Sequence, residues 1–144
     1  MFYFDLNDYD LIPTAPGLRV GFPAHSATGT ASTATVLFEL DPGSELAVHT
    51  DSAEELLIIV QGTAEARVGD EVGRLEQHQV GLVPPMVPHG LRNVGEDVLR
   101  VLGTFSASTV VSTFEQPFAE NGPDVVVIGS PVPMAANLDQ AVAA

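Results

Sequence analysis

Between residues 33 and 114 the chain is a succession of short apolar segments cut off by turn residues. None is long enough to sustain a helical period. Residues 33–40 are rich in β-branched and aromatic side chains and stop at Asp41-Pro42-Gly43, a turn tripeptide. Residues 56–60 (LLIIV) are an unbroken aliphatic run that ends at Gln61-Gly62, strand length rather than helix length. Apolarity on both faces of that run predicts a strand enclosed in a sandwich or barrel. Residues 63–68 and 71–76 flank Gly69-Asp70 and read as a hairpin. Residues 80–83 precede Pro84-Pro85-Met86-Val87-Pro88, which can donate few ladder hydrogen bonds and is expected to be a loop or edge. Residues 89–94, 98–105 and 108–114 complete the set. Strands recurring at about 8–12-residue spacing with turn punctuation predict an all-β sandwich or barrel. The single helical candidate is short, at 135–144, behind the Pro131-Val132-Pro133 breaker.

A length of 144 residues is that of one domain with a core of its own. The reading is therefore a single domain over 1–144, with the barrel at about 30–115, a strand-bearing segment at 1–29 and an extension at 116–144. With 19 acids against 5 bases, the formal net charge is −14. All five bases are arginines (Arg19, Arg67, Arg74, Arg92, Arg100), and they are scattered. No basic patch exists to neutralise phosphates, which argues against nucleic acid and against anionic membrane surfaces. Nor does any apolar run reach the ~20 residues of a membrane span. The N-terminus lacks the basic region and apolar core of a signal peptide, so a cytoplasmic protein is expected. The absence of Cys excludes disulfides, thiolate metal sites and Cys nucleophiles.

Two of the four histidines stand in informative company. His49-Thr50-Asp51 puts an imidazole and a carboxylate at i and i+2, on one face of a strand and about 6–7 Å apart. Glu55 opens the next strand, and the tight connection 52–54 lets it fold back beside His49. His89 follows the proline-rich bend. Two imidazoles and one or two carboxylates make a mixed N/O set suited to Fe, Mn, Ni or Zn as the divalent ion.

At these residues the chain resembles the cupin superfamily. Gly43, His49, Glu55 and Gly62 fall at the spacings of its first motif, with Asp51 in place of the second histidine. Pro84, His89 and Asn93 match the second motif, while Met86 replaces a glycine and His78 stands where a leading glycine is usual. The resemblance implies a double-stranded β-helix (jelly-roll) barrel, often dimeric, with a metal held inside it by His49, Asp51, Glu55 and His89. Three roles are open to Asp51: a ligand, an acceptor that orients His49 or a water, or part of a pocket that has lost its metal.

Other candidates read differently. Glu54 points away if Glu55 points in. His78 is expected in an exposed turn and His25 in a solvent-facing loop. Asn93 is expected to cap the Asn93-Val94-Gly95 turn, and Phe22, Phe38, Phe105 and Phe114 read as core, with Phe38 and Phe105 as candidate pocket walls. The set His49, Asp51, His89 also fits a facial triad of oxygenases that use 2-oxoglutarate. Such a co-substrate needs an inward cation, yet strand parity sends Arg67 and Arg92 outward and leaves only Arg100 ambiguous. The resemblance thus implies a metal-dependent enzyme acting on a neutral or weakly polar small molecule. Its chemistry would be dioxygenase-like, of the quercetin-dioxygenase type, with Glu55 or Asp51 as general base, and cyclase or isomerase chemistry remains open. The other reading is a non-catalytic small-molecule-binding cupin without a functional metal. The aromatics Phe2, Tyr3, Phe4 and Tyr9 make a free N-terminal tail improbable; that segment is expected to cover the barrel or dock on a second subunit of a homodimer.

Overall fold

The computed structural model describes residues 1–117, 119 and 121–129, and the helical candidate at 135–144 lies outside them. Among the described residues the regular structure is β apart from one 3₁₀ turn, Ser26–Thr28. The strands are β1 (Ile12–Ala15), β2 (Leu18–Ala24), β3 (Ala34–Leu40), β4 (Glu45–Asp51), β5 (Glu55–Gln61) and β6 (Thr63–Val68). They continue with β7 (Glu71–Glu76), β8 (Val80–Val83), β9 (His89–Asn93), β10 (Leu99–Phe105), β11 (Val110–Phe114) and β12 (Val125–Ile128). Two antiparallel six-stranded sheets result, in the orders β1-β2-β3-β10-β5-β8 and β12-β11-β4-β9-β6-β7. This is a jelly roll. From β3 to β11 the chain passes repeatedly between the two sheets, which enclose the core from both sides. No helix of the described residues is long and apolar enough to cross a membrane.

Alternation decides which residues fill the interior. In β10, Leu99, Val101, Gly103 and Phe105 point in and are buried, while Arg100, Leu102 and Thr104 point out. Phe38, Leu40, Leu57, Ile59, Val101 and Leu99 supply the largest buried side chains between the sheets. The LLIIV run departs from its expectation. Leu57 and Ile59 are enclosed, but Leu56 lies on the outer surface and is 39% exposed. The run is apolar on both faces because its outer face meets other aliphatics, not because the strand is doubly enclosed.

Backbone conformation explains the glycine pattern of the two motifs. Gly43 (φ 82°) and Gly62 (φ 93°) occupy the left-handed region, and so do the two residues that replace motif glycines, His78 (φ 74°) and Met86 (φ 64°). At Gly62 a Cβ would also stand 3.0 Å from Leu99 Cα. A side chain in that region costs about 1–2 kcal/mol, partly offset by the lower chain entropy of a non-glycine in the unfolded state. Met86→Gly is therefore expected to stabilise the fold by about 0.5–1 kcal/mol. The melting temperature, which should rise by roughly 2–4 °C, is the check; a fall would mean that the Met86 side chain makes a compensating contact. The Met86 conformation serves the site indirectly, because its amide donates to the backbone carbonyl of Asp51 at 2.8 Å and ties the proline-rich loop to β4.

Candidate metal centre

The functional candidates meet at the middle of the barrel. Strands β11, β4 and β9 lie side by side, with Ser112 opposite Asp51, Phe114 opposite His49, and His49 opposite His89. Glu55 comes from the facing sheet, where it pairs with Phe105 and Val83. The connection 52–54 thus carries the chain from one sheet to the other, and Glu55 faces His49 across the interior. It does not fold back beside His49 within one sheet.

His49 reaches the interior because β4 contains a bulge. Between Leu46 and His49 the register against β9 slips by one residue, so both Leu46 and His49 are buried although three positions separate them. Strict alternation would have turned His49 outward, and a bulge re-aims a side chain in this way.

One donor atom each from His49, Asp51, Glu55 and His89 lies within 4.8 Å of the others, and all four residues are buried. His89 Nε2 stands 3.1 Å from Asp51 Oδ2 and 3.2 Å from Glu55 Oε1, and His49 Nε2 stands 3.6 Å from Asp51 Oδ2. Donors bound to one ion at about 2.0–2.2 Å are separated by distances of this size. The outer nitrogens are already committed: His49 Nδ1 pairs with the Ala47 carbonyl at 2.8 Å and His89 Nδ1 with the Val87 carbonyl at 2.9 Å. Carbonyls can only accept, so in the neutral rings Nδ1 carries the proton and each Nε2 turns a lone pair to the shared centre. Ser112 Oγ donates to Asp51 Oδ1. Asp51 Oδ2 is buried with only the two Nε2 atoms beside it, and in the neutral rings neither carries a proton to donate, a costly arrangement that a bound cation would relieve. The residues fit a divalent ion.

Electrostatics without a metal follow from the crowding. Burial drives the Glu55 carboxyl up to about 7, with His89 opposing and the Asp51 charge adding to it. Burial works against a charge on His89, but the acceptors Asp51, Glu55 and the Val87 carbonyl outweigh it and raise that ring to about 10. His49 falls to about 4, first from burial and then from the neighbouring His89. Burial pushes Asp51 up, yet His89, His49 and Ser112 together hold it below its ordinary value. Asp51, Glu55 and His89 therefore share protons as one unit.

Around this polar cluster the cavity is apolar. Phe38 and Phe105 line it, as do Phe22 and Phe114, which sequence reasoning placed in the plain core. Phe114 stacks on the His49 imidazole at 4.4 Å with 17° between the planes. The free space within it is about 30 Å³, room for an ion and one or two waters. No cationic side chain enters. Arg19 and Arg100 pair with Glu39 on the outer face of β2, β3 and β10, and Arg67, Arg74 and Arg92 are exposed. With no Lys in the chain, the cavity wall holds no fixed positive charge.

The remaining candidates fall as follows. Glu54 and His78 are exposed. His25 caps the 3₁₀ turn, its Nδ1 accepting from the Ala27 amide at 3.2 Å. Asn93 Oδ1 accepts from the Gly95 amide at 2.9 Å, while its Nδ2 donates to the Leu40 and Asp97 carbonyls. Two residues of the centre went unread in the sequence. Gly103 makes room for Glu55, since a Cβ there would lie 2.2 Å from Glu55 Oε2; a glycine inside a strand was the available signal. Ser112 had no such signal. Its hydroxyl orients Asp51, so Ser112→Ala is expected to weaken metal affinity about 10–100-fold while leaving the fold intact. Chelator competition would measure it, and an unchanged affinity would remove Ser112 from the site.

Comparison with known proteins agrees with this architecture. The family model described as "Cupin domain" matches residues 36–105. Comparison with curated proteins gives no match. Among solved structures, the cupin domain of Schizosaccharomyces pombe Cnp3 superposes with a TM-score of 0.64 at 21% identity, covering 73% of each chain. KdgF from Halomonas sp. gives 0.64 at 23%, covering 74% of this chain and 94% of that one. Lactobacillus farciminis oxalate decarboxylase gives 0.70 at 21%, covering 78% of this chain but only 35% of that enzyme. At such identities the likeness carries the fold alone. Over residues 36–105 the chain matches the cupin-domain model, and the jelly roll that holds the motif residues together is the fold of the cupin structures it superposes on.

Proposed function

We propose that the protein is a metal-dependent cupin enzyme with dioxygenase-like chemistry, acting on a small, neutral or weakly polar, enolisable molecule. His49, Asp51, Glu55 and His89 would hold the metal. The observation that carries the reading is the buried Oδ2 of Asp51 among three other converging donors. A divalent ion there, of iron, manganese, nickel or zinc, supplies Lewis acidity and open positions for substrate oxygen or O₂. Glu55 and Asp51 line the cavity beside the place such an ion would take, so either carboxylate is placed to accept a proton from substrate. Phe22, Phe38, Phe105 and Phe114 keep bulk water from that proton transfer. The absence of a cation in the wall favours an uncharged substrate.

One observation favours a second reading, a metal-free cupin that binds without catalysing. His89 Nε2 stands 3.1 Å from Asp51 Oδ2 and 3.2 Å from Glu55 Oε1, so an imidazolium there can offset the carboxylates without an ion. Elemental analysis of untagged protein separates the two readings, because only the first requires near-stoichiometric metal. Metal-loaded protein would then be offered small neutral 1,3-dicarbonyls and enediols under oxygen-electrode and NMR detection. Oxygen uptake supports the dioxygenase-like reading, whereas solvent-deuterium exchange without uptake points to isomerase chemistry. Absence of both, with metal bound, would overturn the enzymatic reading.

A further inference from the structure

The central cavity extends to one side of the barrel. Its wall is drawn from β2, β3, β10 and β5 of one sheet and from β12, β11 and β4 of the other. Among the described residues, none of β6, β7, β8 or β9 lines it. In sheets ordered β1-β2-β3-β10-β5-β8 and β12-β11-β4-β9-β6-β7, the free space therefore runs from the four polar residues toward the edge where β2 and β12 lie. Most of the wall is tightly covered, with Phe38 1%, Phe105 3% and Ile128 5% exposed. Phe22 on β2 and Val126 on β12 are the two lining residues that are only half-buried. They mark the rim.

Both rim residues stand where strand pairing is weakest. β12 is a four-residue edge strand held by β11, and the register of β2 against β3 slips between Gly21 and Ala24, across Phe22. From Val126 the register runs inward through Ser112 to Asp51, two strand spacings or about 10 Å. The free space of about 30 Å³ beside the carboxylates takes an ion and little more. A larger molecule reaches that ion only with part of its length at the rim. The side chains that can yield to it are Phe22 and Val126, because those behind them are close-packed. Both offer hydrocarbon alone.

We propose, on the metal-dependent reading above, that substrate enters between β2 and β12 and that Phe22 and Val126 select it, admitting a molecule with oxygen donors at one end and a flat apolar body at the other. The donor end lies beside Asp51 and Glu55, and the apolar body lies further out, between the Phe22 ring and Val126. Burial of that body supplies affinity that the donor end alone lacks. A charged or strongly hydrated body is excluded, since neither rim side chain has a donor or acceptor to replace the water it would lose. Flatness follows from the sheets. They pack about 10 Å apart, and Phe22 and Val126 enter the gap from opposite sides, leaving about the thickness of a planar ring.

Titration of the cobalt-substituted protein with pentane-2,4-dione and with 1-phenylbutane-1,3-dione, read in the visible spectrum, tests the selection. The two carry the same oxygen donors and differ by a phenyl body. Wild type should prefer the phenyl compound at least about tenfold beyond its advantage for aqueous cobalt. Phe22→Ala and Val126→Asn should each remove most of that preference, with cobalt content and circular dichroism unchanged. No preference in wild type, or a preference that either variant leaves intact, would overturn the proposal and leave the metal-dependent reading standing. No cobalt uptake, or a spectrum that neither diketone moves, would overturn both. The route has its own test, because a chain without Cys takes one thiol at a time. Val126→Cys alkylated with N-phenylmaleimide should slow removal of cobalt by a chelator at least about tenfold. The same adduct at Leu82→Cys, on β8 at the opposite edge, should not. Equal rates or the reverse order would overturn entry between β2 and β12.

Discussion

His89→Ala and His49→Ala are each expected to strip the protein of its metal, lowering affinity by about two orders of magnitude or more. Four-ligand sites bind with about 10–16 kcal/mol, so one ligand accounts for roughly 3 kcal/mol, and 1.4 kcal/mol is a factor of ten. The loss at His89 should be the larger, because that ring stands within 3.2 Å of both carboxylates and its removal leaves them facing one another. Glu54→Gln and His78→Ala, on exposed positions, should change nothing. The pH dependence has a definite sign. In the metal-free site His89 holds its proton to about 10 and Glu55 to about 7, and both must be deprotonated to ligate. Affinity should therefore fall as pH drops. The fall is steeper below about 7, where two protons must leave, than above it, where one must. Calorimetry in buffers of different ionisation enthalpy counts these protons directly. Retention of metal by both alanine variants would sink the assignment.

Much of the fold was legible because strands leave a period-2 record bounded by turn residues. The hairpin at 63–68 and 71–76 and the strand at 80–83 coincide with β6, β7 and β8. What escaped was structure whose pattern is set by distant contacts. Residues 1–29 were expected to carry strand, but not the bounds of β1 and β2, which contain Pro13, Gly21 and Pro23, residues that argue locally against strands. They pair because β3 offers an open edge and because Tyr9 and Leu11 need the bare backbone of Gly21 to pack on. β12 likewise exists by pairing with β11. The meaning of the LLIIV run also escaped, since composition cannot tell a strand enclosed on both sides from one whose outer aliphatics lie at the surface.

The four polar residues of the centre were legible as a set through their spacing, but their geometry was not. Nothing in His49-Thr50-Asp51 announces the bulge at Ala47 and Val48 that turns His49 inward, because bulges are fixed by register against β9. The role of Ser112 depends on β11 lying beside β4, a pairing between residues 61 positions apart. The left-handed conformation of His78 and Met86 was signalled only by departure from the motif. Two positions that depart from its glycines still require the glycine conformation, so the backbone is the more constrained property and the side chain the less.

Asp51→His is expected to keep the metal and to change what the centre attracts. With Asp51 and Glu55 both ionised, a divalent ion leaves the centre with no net charge, in a wall that holds no Arg or Lys. Histidine at position 51 raises that net charge by one. A unit charge about 4 Å away at an effective dielectric of ~20 contributes about 4 kcal/mol, which sets the upper limit of the effect. Small anions such as azide or formate should bind the variant about two to three orders of magnitude more tightly than the parent. The visible spectrum of the cobalt-substituted proteins during titration would show it. Asp51→Asn, whose Oδ1 can still accept from Ser112, is the control that separates charge from ligand identity: it too raises the net charge by one but adds no imidazole donor. If the Asn variant gains anion affinity as the His variant does, charge governs selection. If only the His variant gains, ligand identity does. If neither gains, the carboxylate at position 51 is not what excludes anions, and the case for an uncharged substrate would rest on the missing cation alone.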